Sequence, residues 1–515
     1  MTKNNIFENL VVLDIANNHF GDIEHGKKII NEFSKIIKKN KIKAAFKFQF
    51  RHLDTFIHKS QLENKENKYV KRFLSTRFSD DNFIKLVKLI KRNKIYTACT
   101  PFDEKSVDLI EKINFDIIKI ASVSSNDFSL LSRVVKNNIP KIISTGGLTT
   151  EKIDKIVSFF KHQGQNFSLM HCISIYPTEN ADMHLNFIKN LKERYKNVPI
   201  GWSTHEEPDN HLPGILAYSC GAQMLEKHIG INSKKYKLNK YSVSPSQFED
   251  YLSNLNKAKS MLGLYDKKIN KNELKTLEKL ERGVYADIDF KKGDKIDRSK
   301  LYFSFPLVRG QLSATEFTNK FSPSYSPDLF IKRKIKKNQL IKKNDILSKN
   351  YNSNKFILKS SIHQLKAILN YNKIEVGSNF DLEISHHYGV QNFKKYGCFL
   401  FNIINKQYCK KIIVLLPNQK HPLHFHKRKE ETFHIISGEL VSILDYKKHV
   451  LLPGDLIDVK PGIWHEFYAN NKGCIFEEIS TTSYTDDSFY QDPKIKNLKR
   501  EDRKTFLKSW GRFEI

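Results

Sequence analysis

Two lysines stand inside runs of apolar residues, where a charged side chain is costly unless it faces an opposite charge. Lys47 lies in AAFKFQF and Lys119 in FDIIKIAS, and hydroxyl-bearing residues end or follow similar runs at Thr100, Ser122 and Ser144. Taken singly, each lysine could be an end residue whose long side chain reaches water. Their concerted placement with hydroxyls instead predicts a cradle for phosphate and carboxylate groups.

Two histidines, His205 and His228, end two further apolar runs. A lone strand histidine is usually a hydrogen-bonded core residue. Two at adjacent strand ends could share one divalent metal ion, since imidazole suits several such metals.

A second group of histidines stands in HPLHFHKRKEETFHIISGEL and GDLIDVKPGIWHEF. His424 and His426 point to one face of a strand because the side-chain period is two, and neighbouring strands could bring Glu431 and His465 beside them. This spacing resembles the two motifs of the cupin family. Three imidazoles and a carboxylate suit Fe, Mn, Ni, Zn or Co, so a second divalent metal is expected without a fixed identity.

The elements that position the first group are short β-type runs separated by amphipathic helical patterns. The predicted strands are Val11–Ala16, Ala44–Phe50, Ile95–Thr100, Ile117–Ala121, Lys141–Gly147, Ser168–Ser174, Ile200–His205 and Gln223–Gly230. Near-continuous apolar strands that alternate with helices indicate an α/β protein with a parallel sheet. Eight repeats favour a (β/α)8 TIM barrel over a doubly wound sheet, and place the site at the strand ends.

The pattern changes after the eighth repeat. A barrel over 1–265 is followed by a small unit over 280–350 with short β pieces, and polar stretches at 267–275 and 350–355 read as linkers. The stretch 360–490 alternates β-type runs with Gly and Pro turns, which predicts an all-β jelly roll. The basic segment 491–515 is expected to be a helix or tail packed outside.

Composition excludes several classes. Of 515 residues, 87 are Lys or Arg and 56 are Asp or Glu, a net charge of +31. The lysines are spread along the whole chain, which favours compositional bias over a nucleic-acid site. No apolar window is long enough for a membrane span. Six cysteines without a C-x-x-C pair indicate reduced thiols and a cytoplasmic protein.

Several motifs occur together and in order: DIANNHFGD, KFQ, TPFD, KIAS, STGG, MHCISIYPT, IGWSTH and LEKH. Over residues 8–262 the chain therefore resembles the sialic acid synthase family, which condenses phosphoenolpyruvate with an N-acylated hexose. YADIDFKKGDKI and VRGQLSATEF resemble that family's antifreeze-like (SAF) domain. The resemblance implies a phosphoenolpyruvate-dependent transferase that forms a C–C bond, acts in surface polysaccharide synthesis and assembles as a homodimer.

The resemblance also assigns residues to roles. It implies that phosphoenolpyruvate is bound by Lys47, Thr100, Lys119, Ser122 and Ser144. It places Gln49 at the reacting centre and Tyr176 near the sugar, with Asp14, where the family has Glu, as the candidate acid or base. His205 and His228 would hold Mn or Mg, which would polarise the sugar aldehyde toward the enol carbon; 3-deoxy-2-ulosonic acid and phosphate would result.

The sugar half of the predicted site departs from the family pattern. Ser174 stands where Asn is frequent, Ser124 where a Glu addresses the sugar, and Thr204 where an Asp precedes the metal histidine. The motif after strand eight is replaced by KLNKYSVSP, where Asn239 is the nearest polar candidate. Arg309 is the nearest match to an arginine that reaches the partner subunit's sugar.

Two alternatives to an N-acyl sugar synthase remain open at this point. One is an isomerase or aldolase role led by the cupin. The other is a sugar-binding protein that has lost turnover, which the changes at Ser124 and Thr204 favour and the retained lysines and histidines oppose.

Overall fold

The structure, a computed structural model, describes residues 6–63, 66–321, 328–349, 352–508 and 510. The chain forms two compact units, Met1–Lys267 and Lys268–Ile515, here called the first and second units. Asn350, Tyr351 and most residues after 508, which belong to the predicted second linker and basic tail, lie outside the described residues.

The first unit is built on eight parallel strands. They are β1 Leu10–Asp14, β2 Lys43–Phe50, β3 Tyr96–Pro101, β4 Ile117–Ile120, β5 Lys141–Ser144, β6 Phe167–Cys172, β7 Ile200–Ser203 and β8 Met224–His228. Each pairs with its neighbour in sequence and β8 pairs with β1, so the sheet closes into a barrel. The predicted (β/α)8 barrel is confirmed, and closure excludes a doubly wound sheet.

Helices connect these strands. They are α1 Ile23–Asn40, α2 Leu53–Phe56, α3 Lys68–Ser75, α4 Asp80–Arg92, α5 Glu104–Ile113, α6 Phe128–Val134, α7 Thr150–His162, α8 Phe187–Arg194, α9 Leu212–Ser219 and α10 Pro245–Leu262. The start of α1 shows why they begin where they do: the Asp22 carboxylate accepts hydrogen bonds from the first-turn amides of Glu24 and His25. At its other end Lys41 adopts a left-handed conformation that stops the helix.

Side chains alternate across the barrel wall because the strand period is two. Those facing the helices form the large outer core, which includes Leu13, Phe46 and Ile118. A separate inner cluster fills the amino-terminal half of the barrel with Leu10, Val12, Phe7, Ala45, Ala98, Ile117, Ile142, Met170 and Met224. The next inward positions toward the carboxyl ends are polar, so the apolar plug is the floor of the site.

The second unit begins with short elements. They are α11 Lys271–Lys279, β9 Gly283–Ala286, β10 Leu301–Ser304, α12 Ala314–Phe321, β11 Asp328–Ile331 and β12 Ile346–Lys349. β9 pairs with β10 and β11 with β12, each antiparallel. A small core around Val284, Phe290 and Ile335 holds the hairpins together.

The rest of the second unit is α13 followed by a ten-stranded antiparallel sheet. Its elements are α13 Ser353–Tyr371, β13 Leu382–Ser385, β14 Cys398–Asn405, β15 Tyr408–Leu415, β16 Lys420–Phe425, β17 Glu431–Leu444, β18 Lys447–Leu451, β19 Leu456–Val459, β20 His465–Thr481, β21 Phe489–Tyr490, α14 Pro493–Lys496, α15 Arg500–Arg503 and β22 Lys504–Leu507. The predicted all-β region is confirmed.

Three segments differ from their sequence-based expectation. Part of the predicted linker 267–275 is helix α11, and α13 starts within the predicted linker 350–355, capped by Asn352 and burying Leu365 in the core. Part of the expected basic tail 491–515 forms β22, which pairs antiparallel with β13. Trp510 then packs on Phe401 with ring centroids 4.8 Å apart. Tertiary pairing accounts for β22, whereas α11 has no buried residue and begins at its local Asn270 cap.

The six cysteines are all free thiols. Among the helices described, none is both long enough and apolar enough to cross a membrane.

Candidate functional site

Strand register places the polar residues of the barrel side by side. In the pairing of β1 with its two neighbours, Asp14 lies opposite Lys47 on β2 and opposite His228 on β8. Asp14 Oδ2 is 2.9 Å from Lys47 Nζ and 3.5 Å from His228 Nε2. Gln49 Nε2 donates to the same oxygen at 3.2 Å. Three candidate residues therefore meet on the carboxylate of a fourth.

Both lysines face a second carboxylate, that of Glu226 on β8. Lys47 Nζ lies 3.0 Å from Glu226 Oε1, and Lys119 Nζ lies 3.1 Å from Oε2. Ser203 Oγ donates to Oε1 at 3.2 Å. The two lysines and Glu226 are each less than 5% exposed. The sequence-based expectation that each lysine needs an anion is met within the chain itself.

Charge pairing controls the titration of this cluster. Burial alone would raise the pKa of Asp14, but Lys47 and then His228 hold that pKa below its ordinary value. Burial likewise opposes ionisation of Glu226, yet Lys119 and Lys47 lower its pKa. Burial would lower the pKa of Lys47, and the two carboxylates raise it. For Lys119 burial prevails and lowers the pKa, although Glu226 acts against it. Asp14 and Glu226 are therefore ionised at neutral pH.

A cavity of about 740 Å³ opens above the apolar floor. Its lining includes the predicted residues Asp14, Lys47, Gln49, Thr100, Lys119, Ser122, Ser144, Ser174, Tyr176, His205 and His228. The structure thus brings together eleven side chains that the sequence distributes over the ends of all eight strands or the loops that follow them. Their roles in binding or catalysis stay predictions.

The hydroxyl groups of the cavity are available for a ligand. Thr100 Oγ1 is buried and has no hydrogen-bond partner, and Ser144 is 2% exposed. Ser122 Oγ accepts from the amide of Gly146 at 3.2 Å. A Cβ at Gly146 would lie 2.6 Å from Ser122 Oγ and 2.8 Å from Ser174 Oγ, so a side chain at this position would displace both hydroxyl groups.

The two barrel histidines fit a metal ion. His205 Nδ1 donates to the Ile173 carbonyl at 2.8 Å, which leaves Nε2 with its lone pair. His228 Nδ1 is buried without a partner, and the two ring centroids are 5.2 Å apart. Burial lowers the pKa of His205 to about 3, so the ring is neutral as a ligand must be. Tyr176 stacks obliquely on His205 with centroids 4.1 Å apart.

Four of the residues named where the sequence departs from the family pattern do not line the cavity. Asn239 is not among the cavity residues; its Oδ1 accepts from the Tyr241 amide at 3.1 Å. Ser124 and Thr204 are buried outside the lining, and Thr204 Oγ1 has no partner. Arg309 lies on an exposed turn of the second unit.

Among the lining residues to which the sequence assigned no role are Glu226, Ser203, Tyr241 and Arg51. Glu226 and Ser203 were findable, since both occupy the same inward strand phase as the chosen residues. Tyr241, two residues beyond Asn239, lies with its ring centroid 5.1 Å from that of His228. Arg51 is clamped between Phe102 and Phe73, with its guanidinium carbon 3.6 and 4.1 Å from the ring centroids. No local motif identifies either of these two.

The cupin region gathers its histidines as predicted. His424 pairs in register with His465, and the ligand nitrogens of His424, His426 and His465 lie within 4.8 Å of one another. Each ring uses Nδ1 on a backbone carbonyl: His424 on Pro422 at 3.0 Å, His465 on Ile463 at 3.0 Å, and His426 on Asp487. Because a carbonyl only accepts, Nδ1 is the protonated nitrogen and all three Nε2 atoms are free for a metal.

Glu431 stands beside this triad. Its Oε2 is 3.2 Å from His465 Nε2, and both atoms are buried without a hydrogen bond. Its Oε1 is 3.6 Å from His426 Nε2 and pairs with Lys429. Two facing buried polar atoms without partners fit a site built for an ion between them.

The fold is an eight-stranded parallel barrel joined through short elements to a ten-stranded antiparallel region that carries a histidine triad. The family model for the NeuB family matches residues 36–267, and that for the cupin domain matches residues 411–476. An uncharacterized protein of Methanocaldococcus jannaschii is 31% identical over 56% of this chain and 82% of its own length. Pseudaminic acid synthase of Campylobacter jejuni is 28% identical, over 55% and 83%.

A crystal structure of a spore coat polysaccharide biosynthesis protein E from Chromobacterium violaceum is 39% identical, with a TM-score of 0.62. The match covers 66% of this chain and all of that one. The chain belongs to the NeuB family. This membership confirms the predicted resemblance and the prediction of a phosphoenolpyruvate-dependent synthase, while the SAF assignment of 280–350 remains a prediction.

Proposed function

We propose that the barrel condenses phosphoenolpyruvate with the open-chain aldehyde of an N-acyl hexose, giving a nonulosonic acid and phosphate for surface polysaccharide synthesis. The observation that carries this proposal is the pair of buried lysines, Lys47 and Lys119, at the floor of the 740 Å³ cavity. Phosphoenolpyruvate carries about three negative charges, and its arrival would supply the lysines with a second set of anionic partners.

The chain's own residues divide the work. Lys47 and Lys119 would bind the phosphate and carboxylate, with Thr100, Ser122 and Ser144 donating hydroxyl hydrogen bonds. A C–C bond forms between the enol carbon and the aldehyde carbon, water adds to the cationic carbon, and the C–O bond to phosphate breaks. Fixed charges that stabilise such intermediates in a water-poor site are the largest source of catalysis.

Asp14 is suited to accept a proton rather than to donate one. Its carboxylate is ionised in the free protein, since Lys47 and His228 lower its pKa. Gln49 holds Oδ2 in place at 3.2 Å. In the proposed reaction Asp14 takes the proton of the attacking water.

A divalent ion, Mn or Mg, would be held by His205 and His228, with Asp14 beside them. When bound, such an ion supplies Lewis acidity toward an aldehyde oxygen. Tyr176, Ser174 and Tyr241 line the cavity and would contact the sugar.

The test is phosphate release from phosphoenolpyruvate with Mn²⁺ and a panel of N-acyl hexoses, with the acid product detected by mass spectrometry. Sugar-dependent release supports the proposal. No release with any sugar would instead favour a sugar-binding protein.

We also propose a homodimer in which the unit 280–350 acts as an SAF domain and brings Arg309 to the partner's barrel. It is supported by the family resemblance and by the exposure of Arg309.

A further inference from the structure

The cupin metal triad opens onto a cavity of about 260 Å³. The wall contains four cationic side chains, Lys411, Lys429, Arg500 and Lys504, and three carboxylates, Glu383, Glu431 and Glu478. Arg500 and Lys504 come from the segment expected to be an external tail. That segment therefore forms part of a binding cavity.

These charges are paired and, apart from Arg500, largely buried. Lys411 Nζ lies 2.7 Å and Lys429 Nζ 3.1 Å from Glu478 Oε1. Lys504 pairs with Glu383, and Arg500 Nη2 lies 3.6 Å from Glu383 Oε2. Arg500 is the most exposed of the four cations, with 39% of its side chain accessible. It is the cation most free to turn toward a ligand.

The charge balance of the cavity indicates the sign of the charge that a ligand should carry. The cations outnumber the carboxylates by one, and a divalent ion on His424, His426 and His465 would raise the excess to three. Excess positive charge in a confined site is costly unless an anion enters. The metal-loaded cavity therefore favours an anionic ligand, and the metal-free cavity much less so.

The neutral lining selects a hydroxylated ligand. Hydroxyl and amide groups come from Ser385, Asn402, Asn405, Ser483, Tyr484, Thr485, Ser488 and Tyr490. Such groups both donate and accept, as sugar hydroxyls require. A volume of 260 Å³ suits a monosaccharide rather than an oligosaccharide.

We propose that the cupin cavity binds a sugar acid: a monosaccharide-sized polyhydroxy carboxylate that coordinates the metal and places its carboxylate on Arg500. The proposed barrel product belongs to this class, so the choice of a nine-carbon acid as probe rests on the proposed function. The charges and hydroxyl groups of the cavity wall point to a sugar acid independently of that function.

The test uses the full chain carrying His228→Ala, with Co²⁺ bound to the cupin. Titration calorimetry and the visible Co²⁺ spectrum report binding of N-acetylneuraminate, its methyl ester, and N-acetylmannosamine 6-phosphate. We expect the acid to bind and shift the spectrum. We expect the neutral ester to bind at least tenfold more weakly, and removal of the metal to have the same effect.

Variants locate the interaction. Arg500→Gln should weaken acid binding at least tenfold with metal content unchanged, whereas Lys499→Gln, an exposed neighbour outside the cavity, should leave it unchanged. The further variant His424→Ala/His426→Ala should bind acid at least tenfold more weakly, as the metal-free protein does. The proposal is overturned if the ester binds as tightly as the acid, if the phosphorylated sugar binds more tightly, or if loss of the triad leaves acid binding unchanged. Phosphate release by the unmodified chain tests the barrel separately.

Discussion

The carboxylate of Glu226 lies 3.0 Å from the ammonium of Lys47, although the two residues are 179 positions apart in the chain. The same carboxylate also meets Lys119, so two buried cations share it, and Lys47 pairs with Asp14 as well. Because both lysines already face a carboxylate in the absence of substrate, the cavity is pre-organised for an anion. The substrate would share or displace Glu226 rather than create a new charged site.

This arrangement predicts how Glu226→Gln behaves. Removing one partner of a buried ion pair typically costs about 3–5 kcal/mol, here with two lysines left short of negative charge. The variant should melt at a lower temperature, and phosphoenolpyruvate should raise its melting temperature more than it raises that of the unmodified chain. Glu207→Gln, which changes an exposed carboxylate in the loop after β7, is the control. Equal ligand-induced shifts in both proteins would contradict the prediction.

Replacement of Lys119 by Ala tests the anion cradle directly. Loss of one charge-assisted contact is worth about 1.5–3 kcal/mol, and more where the transition state depends on it. Values of kcat/KM for phosphoenolpyruvate should fall at least tenfold, with circular dichroism unchanged. Lys112→Ala on the exposed side of α5 should retain full activity. A wild-type kcat/KM in the Lys119 variant would refute the assignment.

The two proposed metal sites should act independently, because each has its own ligands within its own compact unit. His424→Ala/His426→Ala should empty the cupin and spare phosphate release. His228→Ala should abolish release and leave the cupin metal in place. Elemental analysis and phosphate assays of each variant decide the matter. If the cupin variant loses condensation while its barrel still holds metal, the cupin takes part in the synthase cycle.

The proposed role of Arg309 is testable by mixing two inactive variants. Arg309→Ala and Lys119→Ala chains, refolded or co-expressed together, would form mixed dimers in which one barrel has both residues intact. About a quarter of wild-type activity is the ceiling expected for random assembly of a homodimer. Light scattering measures the assembly state. An active monomer, or no gain over the separate variants, would rule out action across subunits.

Acid should destabilise the first unit through His19. Burial, and next the charge of His25, lower the pKa of His19 to about 4, and its Nδ1 accepts from the Gly21 amide at 3.1 Å. The unfolded chain binds a proton near pH 6.5 and the folded chain does not, so stability falls as pH drops from about 6.5 to 4. The loss at pH 5.5 is about 1.4 kcal/mol. His19→Gln should show a shallower fall in melting temperature between pH 7.5 and 5.5; an identical slope would contradict this.

The barrel and most of its lining could be predicted from the sequence because strand phase is local. Once Lys47 and Lys119 are placed in apolar strands, alternation fixes which way they face. What could not be predicted is which partner they find, since Glu226 reaches them only through closure of β8 on β1. The strand β22 was missed for a related reason: Lys504–Leu507 is short and mixed, and becomes a strand only by pairing with β13.

The β13–β22 pairing also has a consequence for biosynthesis. The strands are separated by about 120 residues, and a ribosome adds roughly 5–20 residues each second. For some 6–24 s after β13 emerges, the edge of β13 that will pair with β22 thus has no partner. The eight barrel strands have already been made by then. An unpaired strand edge is a template for intermolecular association. The cupin, with a wall of its metal cavity delivered last, is therefore the part of a nascent chain that most needs a chaperone.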